Sequence, residues 1–206
     1  MDILMMMSLV VLVFSIIVHE VSHGYMAKLL GDPTAQLQGR LTLNPIKHID
    51  PIGSVLLPAL LVFTHSQFLF GWAKPVPYNP HLLTKGGRFA EALVALAGPL
   101  SNIALAVLLA SLYKLGLINS IVAYIAVYTN IFLALLNLIP IPPLDGSKIL
   151  PSLLPAFLRF GFENMMRQME MGGIMTMVFV LIFLSYFAIT PLTTVTNTIS
   201  SALLGV

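Results

Sequence analysis

Apolar residues run almost without a break from Ile3 to Leu30, and comparable runs recur over residues 89–113, 118–140 and 172–190. Each is long enough to cross a bilayer as a helix, which takes about 20 mainly apolar residues. This pattern predicts an all-α polytopic membrane protein with about four to six transmembrane helices. Residues 52–70 form a further run, but Pro58 interrupts it and Thr64, His65, Ser66 and Gln67 make its far end polar. Length alone therefore does not decide whether it crosses. Residues 191–206 are polar at first and apolar later, which fits either a final span or an interfacial segment.

The polar stretches carry their own pattern. Within "GDPTAQLQGRLTLNPIKHID", the alternation Arg40-Leu41-Thr42-Leu43 predicts a short strand, stopped by Asn44-Pro45. The prolines of residues 71–80 exclude helix and favour an extended edge position. Arg159, Glu163, Arg167 and Glu170 punctuate an apolar background and predict an interfacial helix. The expected fold is thus helical, with a short re-entrant or β segment after the first helix.

Composition strengthens the membrane assignment. Of 206 residues, 58% are hydrophobic and 9% charged, against about 25% charged in a soluble domain. A net charge of +2 gives no basis for a nucleic-acid partner. Cysteine is absent, so any metal must be held by His, Asp or Glu. Only Asp2 precedes the first apolar run and no small-x-small site follows it, so that run reads as a retained helix rather than a signal peptide.

Against this background "HEVSH", residues 19–23, is out of place: charge near a bilayer centre costs at least a few kcal/mol. His19 and His23 are four apart and so share one helix face, from which both imidazoles can reach one zinc. Glu20 lies beside that face, placed to take a proton from water at the metal. At this chain's His and Glu frequencies the spacing arises by chance in roughly two per thousand such sequences. A catalytic zinc needs a third protein ligand. Glu91 and Asp145 are candidates, with Asp2, Asp32, Asp50, Glu163 and Glu170 in loops or termini. Asp145 stands out in "NLIPIPPLDG", where three prolines break the helix before it and Gly146 frees the backbone after it. An ordinary aspartate after a proline turn is the bland alternative.

These stretches, with "AGPLSN" (97–102), "GRLTLNPIKHIDPIG" (39–53) and "FGWAKPVPYNP" (70–80), resemble the site-2 proteases, which are intramembrane zinc metalloproteases of peptidase family M50. The likeness is to the compact branch without PDZ or CBS domains. It implies that His19, His23 and Asp145 bind one zinc per chain and that Glu20 is the general base. It also implies that Asn102 and Asn137 lie near the cavity, contacting substrate or helping to stabilise an oxyanion. For both asparagines, interhelical hydrogen bonding is the plainer role. Residues 40–44 and 74–78 would hold an unwound substrate by strand addition. The implied partners are the lipid bilayer and a membrane protein with a transmembrane segment. The chain then reads as one membrane-embedded protease domain over 1–206. Its catalytic core is 1–150, and 151–206 supply the interfacial helix and a C-terminal membrane segment.

A non-catalytic metal-binding membrane protein is one alternative, and a divalent-metal transporter is the rival from another class. It calls for a polar track through the far half of the membrane, yet residues 104–112 and 174–184 offer only Ser111 and Thr176. If the three ligands share one zinc, an even number of crossings separates them, so 52–70 is expected to be re-entrant or to lie along the membrane. One face then collects every Lys and Arg except Lys114, and the positive-inside rule makes that face cytoplasmic. The expected protein is a multi-pass cell-membrane protein with its N-terminus outside and its metal near the cytoplasmic surface.

Overall fold

The structure is a computed structural model, described here for residues 3–56, 63 and 73–205. Within a bilayer every backbone N–H and C=O must be satisfied internally, and an unbroken apolar segment does this only as a helix. Among the described residues, three helices are long and apolar enough to cross. They are α1 (Ile3–Leu29), α2 (Ala90–Lys114, led in by a 3-10 turn Gly87–Phe89) and α3 (Ser120–Asn137). At about 1.5 Å per residue, the 27 residues of α1 span roughly 40 Å. Asn119 caps α3 by accepting the Val122 N–H at 2.9 Å.

The chain continues as α4 (Gly146–Leu153), α5 (Ala156–Met171), α6 (Gly173–Phe183) and α7 (Ile189–Leu204). Pro155 separates α4 from α5, and α5 is the amphipathic helix expected around Arg159, Glu163, Arg167 and Glu170. A π-helical turn, Leu184–Ala188, links α6 to α7. The tail after 190 is therefore helical, and it packs back on α3.

Small residues set the packing. Ala106, Ala110, Ala123 and Val127 bury the α2–α3 seam together with Ile131 and Leu204. At the other end, Ala27 and Leu30 meet Ala90 and Val94. Short side chains let the backbones approach closely, which is how helices associate where lipid offers no hydrophobic drive. The C-terminal end of α1 and the N-terminal end of α2 consequently lie together. Large apolar side chains point outward instead, such as Val10 at 68% exposed and Ile3 at 74%.

No strand occurs among the described residues. The stretch expected as a strand at 40–44 is irregular, and 73–79 is extended without a ladder. The reason is local: Pro75 and Pro77 have no N–H, and the donors between them bond elsewhere. Among the described residues, no backbone bond joins 73–79 to 40–44; Lys74 N–H donates instead to His48 O at 2.9 Å. Of the 52–70 run, residues 51–56 form a π-helical turn. Its remainder, on which the re-entrant expectation rests, lies outside the described residues apart from Phe63.

Candidate metal centre and its surroundings

His19 and His23 project from the buried face of α1, 6% and 8% exposed. His23 Nδ1–H donates to the Val94 carbonyl at 2.7 Å. A carbonyl only accepts, so the proton of neutral His23 is on Nδ1 and Nε2 keeps its lone pair. His19 Nδ1 stands 2.6 Å from Asn102 Oδ1. The orientation of that amide is fixed from behind: Asn102 Nδ2 donates to Ser15 O at 3.3 Å and to Asn130 Oδ1 at 2.9 Å. Asn130 in turn donates to Ala126 O at 2.9 Å. Two backbone carbonyls thereby settle both amides, and the amides settle the tautomer of His19. Its Nε2 is free of hydrogen, like that of His23.

Asp145 arrives from the proline-rich turn after α3, in which the Pro142–Pro143 peptide is cis. Its Oδ2 lies 3.0 Å from His19 Nε2 and 3.4 Å from His23 Nε2. The three ligand atoms fall within 4.8 Å of one another. Two ligands of a tetrahedral zinc, each at about 2.0–2.1 Å, stand roughly 3.4 Å apart. Three lone-pair donors that close together repel unless a cation lies between them, so the donor set fits a zinc ion. Gly98 of α2 provides the space. A Cβ built there would sit 2.5 Å from both Nε2 atoms, on the ground the ion needs.

Glu20 stands outside that trio. Its Oε2 accepts the Val76 backbone N–H at 2.8 Å, while Oε1 has no hydrogen-bond partner among the described residues. The extended stretch 73–79 is thus a strap across α1, and several contacts hold it. The buried Arg40 guanidinium donates from Nη2 to Lys74 O at 2.8 Å and Pro75 O at 3.3 Å. Asp32 Oδ2 accepts Asn79 N–H at 2.6 Å. Burial pushes the Asp32 carboxyl up, but hydrogen bonds from the Thr34 hydroxyl and from Asn79 and Thr34 N–H outweigh it. The group titrates below the usual carboxylate range. Only glycine at 24 lets the strap lie so close, because a Cβ there would come within 2.6 Å of Leu41 and 2.7 Å of Val76.

The structure brings His19, His23 and Asp145 together, with Glu20 alongside. It places Asn102 behind His19, fully buried, with both amide hydrogens donated. That side chain serves the imidazole and presents no donor toward a substrate. Asn137 is half-buried and donates to Leu133 O at 3.0 Å, one turn back in α3. Asn130, 1% exposed, is the member of the site that sequence reasoning passed over. Its signal was available: an amide in the middle of an apolar span is costly unless it bonds across helices. In the strap, Lys74 and Val76 have committed their N–H groups, and prolines 75 and 77 have none. His48 is buried, but its Nε2 is 2.8 Å from Thr42 O, away from the trio.

The family model described as Peptidase family M50 matches residues 111–184, which include Asp145. Over 189 residues the chain is 39% identical to YwhC of Bacillus subtilis, a protein named as a zinc metalloprotease, covering 85% of this chain and 79% of that one. It is 34% identical over 138 residues to Rip2 of Mycolicibacterium smegmatis, also named as a zinc metalloprotease, covering 64% of this chain and 51% of the relative. A shorter match, 43% over 60 residues, joins it to the similarly named MJ0611 of Methanocaldococcus jannaschii, across 28% of this chain and 31% of that protein. No solved structure matches the chain. The likeness to YwhC extends over most of both proteins, and with it the chain belongs to the zinc metalloproteases of peptidase family M50.

Proposed function

We propose that this protein is an intramembrane endopeptidase that cuts other membrane proteins within or near their spans. The observation that carries the reading is the convergence of His19 Nε2, His23 Nε2 and Asp145 Oδ2, with both Nδ1 atoms already occupied. These three residues would hold one zinc per chain. When bound there, zinc supplies a Lewis acid that makes water nucleophilic near neutral pH and polarises a peptide carbonyl. Glu20 takes the proton of the attacking water on Oε1, while Val76 N–H holds Oε2 in place. As the C–N bond breaks, Glu20 returns that proton to the leaving amine. A helical peptide bond is shielded by its own hydrogen bonds, so the substrate must unwind locally, and helix-weakening residues at the cut favour cleavage.

Membrane placement follows the same elements. α1, α2 and α3, with α6–α7 as one or more further spans, give about four to six crossings. The stretch 30–89 leaves α1 and joins α2 at one end of the bundle, which supports an even number of crossings within it. Nine of the ten Lys and Arg residues lie in segments assigned to that end, leaving Lys114 at the other. The crowded end is therefore cytoplasmic, the N-terminus is outside, and the site opens toward the cytoplasm of a cell-membrane protein.

The test pairs wild type with Glu20→Gln in detergent, measuring zinc content and cleavage of a single-span substrate in the same samples. The variant should keep zinc and lose at least about a hundredfold in rate, the scale of general-base catalysis. Zinc-loaded wild type that cuts none of several helix-weakened substrates would overturn the peptidase reading and favour metal transport.

A further inference from the structure

A cavity of about 480 Å³, whose lining includes none of His19, Glu20, His23 and Asp145, lies between the start of α2, α4 and α5. It is within the range of small-ligand pockets, about 300–1,000 Å³. Its lining has a charge pattern unlike the rest of the chain. Arg88, Lys148, Arg159 and Arg167 contribute from three separate elements, against Glu91 and Glu163. Glu163 is already held by Arg159 Nε at 2.7 Å. That leaves Arg88, Lys148 and Arg167 facing Glu91, and none of these three cations has a salt-bridge partner among the described residues. Arg88 stacks on Phe89 at 4.6 Å, and Lys148 lies 5.3 Å from the centre of the Tyr78 ring.

Four of the chain's ten cations have thus been gathered around one hollow. Like charges brought together repel, and an anion set among them relieves that cost. We propose that the cavity binds a phosphate group, supplied by the headgroup of an anionic membrane phospholipid. The guanidinium fork of Arg matches phosphate oxygens two at a time. The lipid source is argued from position. Arg88 and Glu91 flank the start of a membrane-crossing helix, so the cavity lies where α2 meets the bilayer surface. Around it, α5 turns Arg159, Glu163 and Arg167 into the cavity and leaves Phe157 and Phe160 80% and 72% exposed. A cationic hollow with an apolar rim at the end of a span suits a headgroup with its acyl chains alongside. A free phosphate has no use for the rim.

This inference rests on the membrane placement proposed above but not on the peptidase chemistry. α4 connects the two sites: Lys148 lines the cavity, and its N–H donates to Asp145 O at 2.9 Å.

The experiment is native mass spectrometry of the full chain from neutral detergent. The added ligands are dioleoylphosphatidylglycerol, dioleoylphosphatidylcholine, inorganic phosphate or an oligoglutamate peptide. One phosphatidylglycerol should bind per chain, about tenfold more tightly than phosphatidylcholine. The double variant Arg88→Gln/Arg167→Gln should lose that preference, whereas Lys47→Gln, away from the cavity, should keep it. Zinc content is read in the same samples, so loss of lipid selectivity with zinc retained separates this site from the metal centre. Equal binding of the two lipids, or a preference untouched by the double variant, would overturn the proposal. Displacement of the lipid by inorganic phosphate or by oligoglutamate would overturn the lipid assignment, in favour of a soluble phosphate or an acidic polypeptide respectively.

Discussion

Asn130 lies in the membrane-spanning part of α3 and touches no metal ligand, yet replacing it with leucine should weaken zinc binding. Leucine keeps the branched shape and heavy-atom count of asparagine, although its two methyls are bulkier than the amide, so the folded state is followed in the same samples. What disappears is the oxygen that accepts from Asn102 at 2.9 Å. Asn102 then keeps one donor bond, the longer one to Ser15 O at 3.3 Å, in a place with no exposure at all. A buried donor left unpaired costs about 1–3 kcal/mol. Interhelical hydrogen bonds in membranes measure lower, averaging about 0.6 kcal/mol, so the stability loss should fall near 1 kcal/mol. Removing the direct outer partner of a ligating histidine costs about 10–100-fold in metal affinity, and Asn130 stands one step further out, behind Asn102. Purified wild type and Asn130→Leu would be equilibrated against graded zinc buffers and their metal content measured. Asn102→Leu, which takes the acceptor from His19 directly, should raise the dissociation constant by about 10–100-fold, and Asn130→Leu should raise it by less, about fivefold, the ratio that about 1 kcal/mol gives. Unchanged zinc affinity in both variants, with both still folded, would refute the idea that the amide chain sets the imidazole.

Gly98→Ala removes no ligand, but its Cβ would lie 2.5 Å from both Nε2 atoms; zinc content should fall to near zero while the helices, followed by circular dichroism, persist. Arg40→Ala frees the carbonyls of Lys74 and Pro75, so hydrogen exchange at the Val76 N–H should quicken while zinc is retained. The Asp32 carboxyl titrates below its ordinary range when folded. Its stabilisation is therefore complete above the unfolded value, about 3.9, and lost as pH falls through the folded value. Asp32→Asn should accordingly be less stable than wild type at pH 6, with the gap closing as the solution is acidified; a gap independent of pH would argue against the carboxylate's role.

The long helices and the shared face of His19 and His23 were legible in the sequence because both obey strict periods. An apolar run of 20 residues has few alternatives to a helix in lipid, and two histidines four apart share a face wherever the helix forms. The strand expected at 40–44 was not legible, since alternation records which faces are apolar and not which partner takes the hydrogen bonds. There Arg40 N–H turns back to Ala35 O and Thr42 O meets the His48 ring, while the facing strap at 74–76 bonds to the Arg40 side chain and to Glu20. Asn102 was placed near the site by resemblance, but its direction depends on Ser15 and Asn130, which lie on two other helices. No local pattern encodes a relation among residues 15, 102 and 130. The tail after 190 reads as polar because its threonines bond to their own helix, as Thr194 and Thr198 do to carbonyls four residues back.

The two imidazoles also act as pins between antiparallel spans. His19 fastens α1 to α2 at Asn102, and His23 fastens it at Val94. Sliding either helix by one residue, about 1.5 Å, would break both bonds at once. The alignment of the spans and the spacing of the two Nε2 atoms are therefore one quantity, set by how the helices pack. A substitution far along the α1–α2 seam can spoil the centre simply by shifting that alignment. Conversely, an ion bound across His19, His23 and Asp145 clamps three segments of the bundle at a single height.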